Sequence, residues 1–292
     1  MRTLLSILLL FLPAAATADA VSAAAAMENP ANPLVRINTG TGPIFVELLP
    51  GEAPANVANF LSLVEPGPTI PIAAADPAAQ PADIASARGY YDGMRFHRVI
   101  PGFVVQAGNP ALHAGGREVA TLADEINADA LGLDRQPVMY PNGEFNPLLG
   151  IDGKRALDEI LLRPLYRRLG IDSNAAVESR QEEIFAQLAG MSVKDAYAQL
   201  GYRFQSERPT RGVRRGSVAL ANRGPSDNGP EFFISLGDAP QLDGRHTVIG
   251  QVVEGMAAAD RIGATAVDPL DALNTPGTGG AGRLIYSIRR IN

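Results

Sequence analysis

Cysteine is absent from the 292 residues. That excludes disulfides, thiolate catalysis and cysteine-based zinc sites. Histidine occurs three times, as His97, His113 and His246. None stands in a short ligand spacing such as His-Glu-x-x-His, so no metal site and no cofactor are expected. Lysine- or arginine-rich runs are missing and the formal net charge is -6, which argues against a nucleic-acid or anionic-membrane partner. Ser217 and Ser235 have no nucleophile-elbow context, so hydrolase chemistry has no support. The Gly277-Thr278-Gly279-Gly280-Ala281-Gly282 run precedes a strand pattern instead of opening a helix, and reads as a plain loop.

Long apolar runs are also scarce. The longest, Leu4 to Leu12, is well short of the ~20 residues a membrane span needs. It follows the basic Arg2 and precedes Ala18-Asp19-Ala20, an Ala-x-Ala cleavage pattern. Residues 1–20 therefore read as a secretory signal peptide. The expected product is exported: periplasmic in a Gram-negative bacterium, otherwise secreted, with no membrane contact after cleavage. Hydrophobic residues make up 46% and charged residues 19%, so a packed core is within reach.

Residues 21–32 are rich in Ala, Asn and Pro and read as a flexible tail. Leu34–Asn38 and Ile44–Leu48 read as strands around a Thr39–Gly42 hairpin loop. Pro54 suits a first helical turn, and Val57, Phe60, Leu61 and Val64 mark one buried helix face. The five prolines between residues 66 and 88 predict a surface loop insertion. From about 136 to 209 the period is helical. Leu157, Ile160, Leu161 and Leu165 form one stripe that Pro164 kinks or divides. Asp172 or Ser173 caps a helix carrying Val177, Ile184 and Leu188, and Ser192-Val193-Lys194-Asp195 fits a capping box ended at Gly201. The segment is either a decoration or a module for a specific partner. Strands return at Ser217–Ala221, Phe232–Leu236, Thr247–Val253 and Arg283–Ile291, with a short helix over Gly255–Ile262.

The stretch that organises the chain is Tyr90 to Gln106. Asp92-Gly93 signals a turn, a short strand follows, Pro101-Gly102 turns again, and a second strand returns. Alternation puts Phe96, Arg98 and Ile100 on one face and His97 and Val99 on the other. An arginine between two apolar residues is solvated, paired with a carboxylate, or aimed into a cleft. Gln106 is the nearest residue to orient it.

The run Phe96-His97-Arg98-Val99-Ile100-Pro101-Gly102-Phe103, with Gln106, resembles the cyclophilin family of peptidyl-prolyl isomerases. A second block carries the same resemblance: Gly216 to Asn222, Asn228-Gly229-Pro230-Glu231-Phe232-Phe233-Ile234, and Leu242-Asp243-Gly244-Arg245-His246-Thr247. It covers roughly residues 33–110 and 211–292, so 33–292 reads as one isomerase domain with insertions at 66–88 and about 136–209. The resemblance implies a mainly β fold: a closed eight-stranded antiparallel barrel capped by two helices. It implies Arg98 as the catalytic residue and Phe103, Val104, Gln106, Ala221, Asn222, Phe233, Leu242 and His246 as substrate-binding. Taken singly, Phe103 and Phe233 read as ordinary core. The partners implied are proline-containing unfolded or flexible polypeptides. The rival reading is a peptide-binding chaperone with little turnover.

Three departures from the family pattern stand out. Glu231 replaces a glutamine, and pairing with Arg98 would favour the chaperone reading. Gln241 replaces a tryptophan found in many members, which implies weaker cyclosporin binding. Val104 replaces a methionine and keeps the wall apolar.

Overall fold

The first hairpin pairs β1 (Leu34–Thr39) with β2 (Gly42–Leu48), in antiparallel register from Leu34↔Glu47 to Thr39↔Gly42. Six more strands join it: β3 (Arg98–Ile100), β4 (Val104–Ala107), β5 (Ser217–Leu220), β6 (Phe232–Ser235), β7 (Val248–Glu254) and β8 (Ile285–Arg290). The structure, a computed structural model, describes residues 18–65, 89–112, 119–265 and 281–292. The expected signal segment up to residue 17, the proline-rich loop at 66–88, His113 and most of the glycine-rich loop lie outside the described residues.

All strand pairs are antiparallel, in the order β3-β4-β6-β5-β7-β2-β1-β8. The barrel was expected closed. What the eight strands form is a curled sheet whose ladder is not continuous between β3 and β8. There the chain is joined by one bridge, Arg95↔Leu284, flanked by Phe96 N–H to Arg283 O at 2.9 Å and Ile285 N–H to Met94 O at 2.8 Å. The contact with the start of β8 is made by Gly93 to Phe96, the residues before β3, and not by β3 itself.

One face of the sheet carries the main core. Val105, Val218, Phe232, Ile234 and Ile249 meet there with Ile37, Ile44 and Val46. The helix α2 (Pro54–Val64) covers it with Val57, Phe60, Leu63 and Val64. Leu61, expected on that face, is only partly buried. Phe60 packs against Tyr91 and Phe232 at 5.4 and 5.5 Å between ring centres. A further helix (Met256–Gly263) buries Ala258, Ala259 and Ile262.

The segment 21–32, expected as a loose tail, is instead tied to the sheet. Helix α1 (Ala20–Ala25) is capped by Asp19 and buries Ala23. Beyond it, the fully buried Glu47 carboxylate accepts from Glu28 N at 2.7 Å, Asn29 N at 3.0 Å and Asn32 Nδ2 at 2.8 Å. A buried carboxylate needs such donors, and the tail supplies them.

Among the described residues, five α-helices lie between β4 and β5: α3 (Lys154–Leu157), α4 (Arg163–Leu169), α5 (Asn174–Ser179), α6 (Gln181–Ala189) and α7 (Val193–Gln199). A π-helical turn, Asp158–Leu162, joins α3 to α4 just before Pro164. Proline lacks an N–H and its ring crowds the carbonyl four residues back, so the helix widens there. Ser173 caps α5, and the Ser192–Asp195 capping box is formed. The helices have their own core, which starts at Ala128 and includes Leu133, Leu149, Leu161, Leu165, Leu188 and Tyr197. It is seated on the turn before β7. Gly244 has φ +81°, and a Cβ there would meet Leu133 at 2.5 Å and the Tyr197 ring at 3.2 Å. The Arg245 guanidinium lies 5.5 Å over that ring.

Candidate active site

The side of the sheet away from the main core carries a second apolar cluster. It holds Val104, Val213, Ala219, Phe233 and Val248, with Ile100, Phe103, Ala221 and Leu242 against them. Strand alternation explains it: Val105 and Ala107 point into the main core, so Val104 and Gln106 point away. Register then aligns four side chains across four strands. Arg98 is opposite Gln106, Gln106 opposite Phe233, and Phe233 opposite Ala219. Pro101 and Gly102 form the turn that returns β4 beside β3, with Gly102 at φ +70° and Phe103 N–H bonded to Ile100 O at 3.0 Å. A proline followed by a residue of positive φ is the type II arrangement.

A cavity of about 340 Å³ opens on this face. Its lining comprises Arg98, Phe103, Val104, Gln106, Ala221, Asn222, Phe233, Leu242 and His246, all the candidate residues of the sequence reading. A second hollow of about 500 Å³ adjoins it through Ala221 and Asn222 and is bordered by Arg223, Asp227 and Glu231. Gln241 does not line the first cavity. Its carbonyl accepts from Arg245 Nη2 at 2.7 Å.

Arg98 is exposed, and its Nη1 donates to Gln106 Oε1 at 3.1 Å. No carboxylate lies within 4.0 Å of it among the described residues. Glu231, the feared competitor, is engaged elsewhere. Its Oε1 lies 2.9 Å from His97 Nε2 and accepts from Gln106 Nε2 at 3.4 Å. His97 was expected on the face away from Arg98; it belongs instead to the chain of polar groups that ends there. Phe96 was expected on the Arg98 face and is fully buried in the main core. Both corrections have one cause. The ladder begins only at Arg98, and Phe96 N–H is bonded to Arg283, so alternation does not extend back through His97.

His246 forms the far wall. Its ring stands edge-on to Phe233 at 5.4 Å, and its Nδ1 lies 3.0 Å from Leu220 O. A carbonyl only accepts, so Nδ1 carries the proton. Burial pushes the His246 pKa down to about 4, and the Arg245 and Arg98 charges act the same way. The imidazole is therefore neutral at pH 7. Asn222 Nδ2 donates to Arg245 O at 2.9 Å, which ties the wall to the loop after β5. Ala221 was expected to bind substrate. Its N–H is already given to Glu231 O at 2.9 Å, so that donor is taken.

Sequence reasoning missed the His97–Glu231–Gln106 link and the seat of the helical core on Gly244. Neither has a local signature, since the partners come from different strands or from residues far apart in the chain. The arrangement offers one fixed multi-donor cation beside an apolar hollow. Among the described residues no group of His, Asp or Glu is placed to hold a metal ion.

Comparison with known proteins gives the family. Residues 34–276 match the family described as cyclophilin type peptidyl-prolyl cis-trans isomerase/CLD. The chain is 26% identical over 239 residues to peptidyl-prolyl cis-trans isomerase-like 1 of Rhizopus delemar, covering 82% of this chain and 85% of that one. It is 25% identical over 242 residues to peptidyl-prolyl cis-trans isomerase A of Mycobacterium tuberculosis, again covering 82% and 85%. Among solved structures it is similar to a cyclophilin type isomerase of Cryptosporidium parvum, at TM-score 0.45 and 20% identity, covering 89% of this chain and 99% of that one. With the family match spanning most of its length, this chain belongs to the cyclophilin-type peptidyl-prolyl cis-trans isomerases.

Proposed function

We propose that the protein accelerates rotation about X-Pro bonds in exported polypeptides, with Arg98 as the catalytic residue. The observation that carries this is Arg98 held by Gln106 at the edge of a hollow lined by Phe103, Val104, Phe233 and Leu242. Rotation about a prolyl bond faces a barrier of roughly 20 kcal/mol that comes from amide resonance. At the half-rotated state resonance is lost and the prolyl nitrogen keeps a localised lone pair. A guanidinium donates to that nitrogen more strongly than to the planar one, and that difference lowers the barrier. The proline ring enters the apolar hollow, which excludes water. No nucleophile, proton transfer or metal takes part.

The chaperone reading drew its support from a Glu231–Arg98 pair. With Glu231 turned to His97, that support is gone. Export rests on the leader pattern at residues 1–20. The purified protein is expected to speed cis-to-trans conversion of a proline test peptide. Fractionation of the producing cells, with mass analysis of the mature N-terminus, tests export. Full-length protein in the cytosol contradicts it.

A further inference from the structure

We propose that Glu231 is a positioning residue for Arg98, acting through Gln106: its carboxylate selects which end of the Gln106 amide faces the guanidinium. The proposal rests on the reading of Arg98 given above.

Gln106 lies between two groups of opposite hydrogen-bonding character. A guanidinium only donates and a carboxylate only accepts, whereas a primary amide does each at a different end. One amide orientation satisfies both neighbours, and it is the one found. Oε1 receives Arg98 Nη1 at 3.1 Å, and Nε2 reaches Glu231 Oε1 at 3.4 Å. Reversed, the amide would set N–H groups against the guanidinium and its oxygen against the carboxylate.

Glu231 is itself held. His97 Nε2 lies 2.9 Å from the same oxygen, and the two side chains are only 12% and 26% exposed. Shielding of this kind makes a mismatched polar contact costly. A neutral glutamine at 231 would meet Gln106 in either orientation and impose nothing by itself. The carboxylate imposes one. It does so without neutralising Arg98, which keeps its charge for substrate.

The test is a series at position 231 in the full chain: Glu231→Gln, Glu231→Leu and Glu231→Lys. Each is made alone and in a Gln106→Ala background, beside Arg98→Ala. Turnover of a proline peptide is resolved into kcat and KM, and a melting curve checks folding. The power to impose an orientation sets the expected order. Gln and Leu, which impose none, each lose about threefold, and Lys, which only donates and favours the reversed amide, loses about tenfold. The loss is in kcat, with KM within twofold. In the Gln106→Ala background the four residues converge, as a double-mutant cycle requires of a linked pair. If Leu fails to fold, Glu231→Met takes its place. Leu or Met equal to wild type overturns the proposal, as does an unchanged loss without Gln106. Gln equal to wild type also overturns it. If the series is flat while Arg98→Ala is impaired, only the role of Glu231 falls. If Arg98→Ala is fully active, the reading of Arg98 falls and this proposal with it.

Discussion

Arg98 and Gln106 are direct cross-strand partners on β3 and β4, joined from Nη1 to Oε1 over 3.1 Å. A long arginine side chain on an open strand face loses rotamer freedom when it is held, roughly 1.5–2 kcal/mol if fully fixed. Gln106 bears that ordering before substrate arrives. Gln106→Ala is expected to lower kcat/KM about fivefold to tenfold while the melting temperature moves by a few degrees at most. Steady-state kinetics with a proline peptide, beside a thermal melt, check this. A large loss of stability with unchanged turnover per folded molecule would make Gln106 structural only.

His246 gives a pH dependence with a defined sign. Burial lowers its pKa from 6.5 to about 4. Between those values the unfolded chain binds the proton and the folded chain does not, so unfolding gains as pH falls. Stability present above pH 6.5 is therefore lost progressively toward pH 4, by up to about 3 kcal/mol for this one group. Denaturant unfolding at a series of pH values should show a steeper acid loss for wild type than for His246→Gln, which does not titrate. Equal slopes would mean that His246 is not shielded as described.

The helical core between β4 and β5 should behave as part of the wall of the cavity. Tyr197 donates its hydroxyl to Leu148 O at 2.7 Å, packs against Gly244 and lies under Arg245. Tyr197→Ala should cost about 3–5 kcal/mol, as large-to-small changes at buried aromatics do. Because Leu242 and His246 stand on either side of that turn, KM for a proline peptide should rise together with the loss of stability. Tyr197→Phe removes only the hydroxyl and should cost about 1 kcal/mol. A Tyr197→Ala protein with the helical part melted and peptide affinity intact would show that the helices merely decorate the sheet.

What the sequence made legible was local. Pro101-Gly102 announces its turn because glycine is the residue that tolerates φ +70° there. Ser192 and Asp195 announce a helix start because each bonds the other's backbone N–H within four residues. The nine cavity residues were legible because two separated blocks carry the family pattern, and register across β3, β4, β6 and β5 sets several of them side by side. The rest depended on contacts between distant residues. Nothing near Glu231 in the chain says that its carboxylate reaches His97, 134 positions earlier by residue number (231 less 97). Nothing near Asn29 says that a buried Glu47 needs its N–H, so the ordered segment read as a tail. The discontinuity between β3 and β8 was hidden in the same way, because residues 93–96 and 283–285, which meet there, lie far apart in the chain.

The most direct measurement compares wild type with Arg98→Ala on one X-Pro peptide, using kcat/KM for isomerisation and binding of the same peptide at equilibrium. The expected result is at least a tenfold fall in kcat/KM, about 1.4 kcal/mol of lost transition-state stabilisation, with peptide affinity within a few-fold of wild type. Equal isomerisation rates for the two proteins would contradict it.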